Sequence, residues 1–126
     1  MLPDWPPSDL SLPGVVNVAV WLFSISADFS FPTDPNVACL DADQLRFPVL
    51  IRPWQQGDRF RPLGLSGQKL VSDLLNDRKV SRTDREKVAV LVADGAIAWV
   101  IGHRIGHLFR VTERTNRIAQ IICSSK

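Results

Sequence analysis

The stretch Val88-Ala89-Val90-Leu91-Val92-Ala93-Asp94-Gly95-Ala96-Ile97-Ala98-Trp99-Val100-Ile101 sets the fold class. Two apolar runs rich in β-branched residues flank Asp94-Gly95, a dipeptide that supplies the positive backbone angles of a two-residue hairpin turn. Strands are therefore expected over Val88–Val92 and Ile97–Ile101, paired antiparallel. Upstream, Ser81-Arg82-Thr83-Asp84 has the N-cap spacing of a short basic helix running through Lys87. Before that, Leu70, Val71, Leu74 and Leu75 form one apolar stripe, with Lys69, Ser72, Asp73 and Asn76 on the wet side, which predicts a helix over 68–79. Further strands are expected at Leu108–Thr112 and Ile118–Cys123, at Phe47–Arg52 and at Val37–Leu40. A pair over 15–31 is also expected, with a register change near Phe23–Ser24. The sum is an α+β fold, a small mixed sandwich of short strands with two helices.

Composition sets the limits. The chain has 126 residues, 45% of them hydrophobic and 22% charged, a globular profile with a mean hydropathy of +0.03. The run Val15–Phe29 is interrupted by Asn17, Ser24, Ser26 and Asp28, too polar to cross a bilayer, and no membrane partner is expected. Cys39 and Cys123 have no CxxC spacing and read as reduced thiols of a cytoplasmic protein. The net charge of +2 hides an asymmetry. Residues 1–45 carry six acids and no Lys or Arg (−6), while residues 46–126 carry all 15 bases and seven acids (+8). A basic segment of this kind suits a polyanionic partner or simple solvation, and charge alone leaves both open. Residues 1–45, opening on Pro3, Pro6, Pro7 and Pro13, read as a linker and small strand-rich connecting segment, and 46–126 as the principal domain.

No catalytic set emerges. There is neither a GxxxxGK[ST] nor a GxGxxG loop. His103 and His107 are four apart but lack a third metal ligand nearby, so no metal site is assigned and they read as exposed loop histidines. Ser66 misses the nucleophile-elbow spacing and reads as a turn residue or cap. Asp41/Asp43 and Asp73/Asp77 read as solvated surface. The segment Pro53–Lys69, with Gly57, Gly64 and Gly67 among arginines, reads as a long irregular loop, a length usually reserved for function.

At 46–115 several spaced blocks coincide. They include Leu50-Ile51-Arg52-Pro53, Gly57-Asp58-Arg59-Phe60-Arg61-Pro62-Leu63-Gly64, Gly67-x-Lys69, Ser72-Asp73, Asp77-x-Lys79-Val80 with Arg82 and Arg85, Trp99-Val100-x-Gly102-x-Arg104-Ile105, and Phe109-x-Val111-Thr112-x-x-Thr115. Together they resemble the C-terminal domain of tRNA(Ile)-lysidine synthetase. Gln68, Ser81 and Ala89 depart from that family's usual lysine and two prolines. The resemblance implies a fold similar to a domain of the phenylalanyl-tRNA synthetase β-subunit. It also implies a parent enzyme that joins lysine to the wobble cytidine of tRNA(Ile) in an ATP-dependent carbon–nitrogen ligation. The ATP (with Mg) and the catalytic residues are expected in an N-terminal domain, since its SGGxDS-type motif is absent here. No cofactor is expected in this chain. The implied partners are tRNA(Ile), held by its acceptor region, and the chain's own N-terminal catalytic domain, with a second copy in a homodimer as a further candidate.

The chemistry suits backbone recognition of structured RNA, because arginine offers a planar fork to phosphate and A-form helices are read by shape and phosphate. The expected tRNA-binding residues are Arg52, Arg59, Arg61, Lys69, Lys79, Arg82, Arg85 and Arg104. Lys69 is placed at a helix start, Lys79, Arg82 and Arg85 at the opening of the second helix, and Arg104 in the loop after the last hairpin. Asp58 is expected to order the loop by pairing with an arginine or capping backbone amides. Phe60, Leu63 and Trp99 read as core, while Trp54 stays open between core and RNA stacking. The competing reading is a structural or interaction domain that packs on a catalytic domain without touching RNA.

Overall fold

The computed structural model describes residues 17–24, 29–46 and 49–124. Strand β1 (Asn17–Ser24), β2 (Val37–Asp41) and β9 (Arg117–Ser124) form one antiparallel sheet in the order β1-β9-β2. A second antiparallel sheet, β3-β6-β7-β8, consists of Val49–Pro53, Ala89–Ala93, Ala96–Val100 and Arg104–Ile105. A two-stranded ribbon, β4 (Arg59–Phe60) with β5 (Lys69–Leu70), leads into helix α1 (Val71–Asp77), followed by α2 (Arg82–Arg85).

The second sheet is the middle layer. Every residue of β6 is buried, so both of its faces are covered. Leu91 and Ala93, with Trp99, Ile101 and Ile51, pack on Leu40, Ala119 and Ile121 of the first sheet. Val90, Val92, Ile97 and Val100 pack instead on Val71, Leu74 and Leu75 of α1 and on Phe60. Each large side chain buried in this way contributes on the order of 1.5–3 kcal/mol of transfer free energy. The hairpin at the centre turns through Asp94 (φ 48°) and Gly95 (φ 80°), the two positive angles a type I′ turn demands. A bulge between Leu91 and Val92 shifts the register of β6 against β7.

The mixed α+β fold of strands and two helices is the one expected, but its details differ in informative ways. Residues 17–41, within the segment expected to act as a connector, supply two strands that flank β9, so their described part shares a sheet and a core with the chain's far end. β1 runs unbroken to Ser24; Ile25 and Ala27, where a second strand was expected, lie outside the described residues. The first helix starts at Val71, because Lys69 and Leu70 pair with Phe60 and Arg59 as a strand. That pairing also replaces part of the irregular loop expected over 53–69. Helix α2 keeps its cap, with Ser81 Oγ accepting from the Asp84 amide at 3.1 Å, and ends at Arg85. No strand forms at 108–112; a 3-10 turn spans His107–Phe109 and the chain then stays irregular to Thr115.

Asp41, expected on the solvated surface, is buried. It accepts from Thr115 Oγ1 at 3.0 Å and from the Asp43 amide at 3.0 Å, so it ties the end of β2 to the turn before β9.

Candidate nucleic-acid interface

The glycine-rich loop is ordered by one carboxylate. Arg52 at the end of β3 grips Asp58 with two parallel hydrogen bonds of 2.9 Å each, and the Gln55 amide donates to the same carboxylate at 2.7 Å. The Asp58 carbonyl accepts from the Val71 amide at 2.9 Å, which uses the first amide of α1. Burial alone would raise the Asp58 carboxyl, but the Arg52 hydrogen bonds, the Gln55 amide and the Arg52 charge outweigh it and hold it below the usual carboxylate range. Asp58 therefore orders the loop as expected. Arg52 is spent on it, donating also to the Pro53 carbonyl at 3.0 Å.

Beyond Asp58 the chain alternates. Phe60 points inward and is buried; Arg59 and Arg61, one residue to either side, are exposed. They line a groove of about 280 Å3 with Gln68 and His107, floored in part by Ile97 and Phe109. Arg61 Nε donates to the Leu65 carbonyl at 2.6 Å and closes the turn at Gly64 (φ 85°). The rest of the loop is fastened to the end of the second sheet. The Leu63 amide donates to the Ile105 carbonyl at 3.0 Å and the His107 amide to the Arg61 carbonyl at 2.7 Å.

Gly106 lies beneath this groove, where a Cβ would stand 2.7 Å from the Ile97 carbonyl oxygen. His107 Nδ1 accepts from the Gly64 amide at 3.2 Å, so in the neutral ring the proton sits on Nε2 as a donor. Partial burial and the charges of Arg110 and Arg61 push its pKa below the ordinary histidine value. His103 likewise accepts at Nδ1, from Arg78 Nε at 2.8 Å, and burial together with that guanidinium lowers its pKa. Both histidines, read as exposed loop residues, are half-exposed and hydrogen-bonded in turns, and among the described residues no three His, Cys, Asp or Glu side chains gather as a metal site.

The other expected contacts fall elsewhere. Lys69 is a strand residue paired with Asp77, not the start of a helix. Lys79 closes α1 in a left-handed conformation (φ 56°), with its side chain exposed, and does not open α2. Arg82 and Arg85 share a groove of about 440 Å3 with Trp54 and Gln56. Arg104 belongs to the short strand β8, not a loop, and lines a third groove of about 430 Å3 with Arg110 and His103. Leu63, read as core, is 41% exposed at the rim of that groove; Phe60 and Trp99 are buried as expected. Thus the eight residues divide among three grooves and two ion pairs, with Lys79 apart. Gln68, His107 and Arg110 join the grooves without having been singled out as contacts. Only the tertiary return of 104–110 onto the glycine-rich loop brings the last two there.

This architecture is that of a small antiparallel α+β sandwich whose arginines line three surface grooves. It superimposes on a crystal structure of a TilS C-terminal domain with a TM-score of 0.73, over 92% of this chain and 93% of that one at 17% identity. It also matches an N-terminal fragment of the phenylalanyl-tRNA synthetase β-subunit from Pyrococcus horikoshii, with a TM-score of 0.62 over 71% of this chain and 28% of that one, again at 17% identity. These likenesses show the fold. Residues 49–122 match the family model described as the TilS substrate C-terminal domain, and the chain belongs to that family. It is 44% identical over 91 residues to a tRNA(Ile)-lysidine synthase of Bacteroides thetaiotaomicron, covering 72% of this chain and 21% of the relative. It is 40% identical over 94 residues to one of Parabacteroides distasonis, covering 75% and 22%. The chain therefore spans about a fifth of the length of these relatives.

Proposed function

We propose that this domain holds tRNA for a tRNA(Ile)-lysidine synthetase, the cytoplasmic ATP-dependent ligase that attaches lysine to the wobble cytidine of tRNA(Ile). In this reading the domain takes the acceptor region and the ligation occurs in an N-terminal domain that binds ATP and Mg. The carrying observation is the Arg59–Arg61 groove. Two exposed guanidiniums on one side of a stapled loop meet a histidine N–H and an amide, a set of donors suited to phosphate oxygens. The reading assigns no free nucleotide to this domain. The glycine-rich loop runs into a strand, and the first amide of the following helix is already bound by Asp58.

The competing reading, a packing domain without RNA contact, would gain from acidic groups covering the basic grooves. Among the described ion pairs, the acids of the first 45 residues engage only Arg117, through Asp43 at 3.8 Å, and none of Arg59, Arg61, Arg82 or Arg85. Binding of the chain to tRNA(Ile) by gel shift, beside the R59E/R61E variant, tests the proposal. Strong weakening by charge reversal is expected; equal binding by both proteins would reject the groove.

A further inference from the structure

The sequence leaves Trp54 between core and stacking, and the structure sets it half-buried at the edge of the core, beside a groove. Its ring packs against the second core cluster on one side. Its Nε1 donates to the Arg85 carbonyl at 2.8 Å and its backbone amide to the Val88 carbonyl at 3.2 Å, so both the indole edge and the chain beneath it are pinned. What is left of the ring opens into the groove shared with Gln56, Arg82, Arg85 and Glu86. Trp99, by contrast, is 2% exposed. A half-buried tryptophan whose polar handle is already satisfied inside the protein offers an apolar face and nothing else to its groove. Arg85 is oriented beside it, since its Nε is bound to the Val80 carbonyl at 2.9 Å. Among the described residues no hydrogen bond or ion pair uses its terminal nitrogens, and the same holds for Arg82.

We infer that this groove is a subsite for one unpaired nucleotide of the RNA, its base stacked on Trp54 and its phosphate held by Arg82 and Arg85. This rests on the tRNA-binding reading above. A base within a duplex has both faces covered by its neighbours, whereas an unpaired one is free to stack on an aromatic side chain. The Gln56 amide and the Glu86 carboxylate on the rim suit base edges and ribose hydroxyls. Glu86 also disfavours a second phosphate, which selects a single nucleotide over a run of backbone.

The test compares three RNA hairpins with identical stems: one blunt, one with a short single-stranded 3′ extension, and one with the same extension made abasic. The abasic strand keeps every phosphate and removes only the bases. Wild-type chain should bind the base-bearing extension roughly tenfold tighter than the abasic one, the scale of one aromatic stack. Trp54→Leu should abolish that ratio, and Trp54→Phe, which keeps an aromatic face, should retain much of it. Arg82→Ala, an exposed change that keeps Trp54 in place, should weaken both extensions equally relative to the blunt hairpin. Binding of all three hairpins with no base-dependent ratio overturns this subsite alone. So does a ratio that survives Trp54→Leu. Failure to bind any of the three overturns the tRNA-binding reading, and the subsite with it.

Discussion

Replacing Asp58 with Asn removes the charge that organises the glycine-rich loop while leaving its size unchanged. Three donors converge on this carboxylate, two from Arg52 at 2.9 Å and one from the Gln55 amide at 2.7 Å. The Asp58 side chain is only 12% exposed and that of Arg52 29%. A hydrogen bond to a charged group contributes about 1.5–3 kcal/mol, and the asparagine oxygen can keep part of this set, so a loss of about 2 kcal/mol is expected. For a domain of this size that corresponds to roughly 6–8 °C in Tm.

Urea unfolding followed by tryptophan fluorescence measures the loss. Its pH dependence provides an internal control. The folded pKa of Asp58 lies below its unfolded value, so its contribution is complete above the unfolded pKa, about 3.9, and disappears as pH falls through the folded one. Wild-type protein should therefore lose stability over that acid window more steeply than Asp58→Asn, and the two curves should converge. A double-mutant cycle with Arg52→Gln should give a coupling of at least about 1 kcal/mol. A destabilisation under about 0.5 kcal/mol, or curves that stay parallel down through the acid window, would refute the role given to this pair.

Gly106→Ala should cost about 1–3 kcal/mol in the same unfolding assay, since its Cβ would stand 2.7 Å from a backbone oxygen that has little room to yield. Single replacements Arg59→Ala and Arg61→Ala should each weaken tRNA binding and reduce the slope of log K against log salt by about one, read by titration at several salt concentrations. The His103 ring, observed by NMR, should titrate below the ordinary histidine value. Arg78→Ala should move the midpoint upward, because one of the two causes that depress it is removed. As the folded pKa of His103 is depressed, its contribution to stability is present above the unfolded value and is lost as pH falls through the folded one.

The elements legible in the sequence were those fixed by local chemistry. Asp94-Gly95 dictated its hairpin because both positions need positive angles. Ser81 capped α2 through an amide three residues on. The pairing of Asp58 with an arginine was legible because a lone acid among loop arginines has few other partners. What was missed depends on distant neighbours. Lys69 and Leu70 carry a helical pattern, yet pairing with Arg59 and Phe60 holds them extended. Leu108–Thr112 is apolar enough for a strand, but the pairing beside β7 is already taken by β8. Leu63 is hydrophobic and exposed, since it is the buried Pro62 beside it that bridges to Gly106. The candidate site divided for the same reason. Spacing along the chain grouped the bases into one patch, whereas alternation at Phe60 and the ion pairs of Arg52 and Lys69 decided which of them face a groove.

If the basic grooves bind tRNA through phosphate, affinity must depend on salt. The decisive experiment titrates the chain with tRNA across a series of salt concentrations. With Arg59 and Arg61 each meeting a phosphate and Arg82 and Arg85 sharing one, log K should fall against log salt with a slope of roughly −2 to −3. Replacing all four with alanine should flatten the slope to about −1 or less, the remainder coming from bases outside these two grooves. A salt-independent affinity, or a slope unchanged by the fourfold replacement, would contradict it.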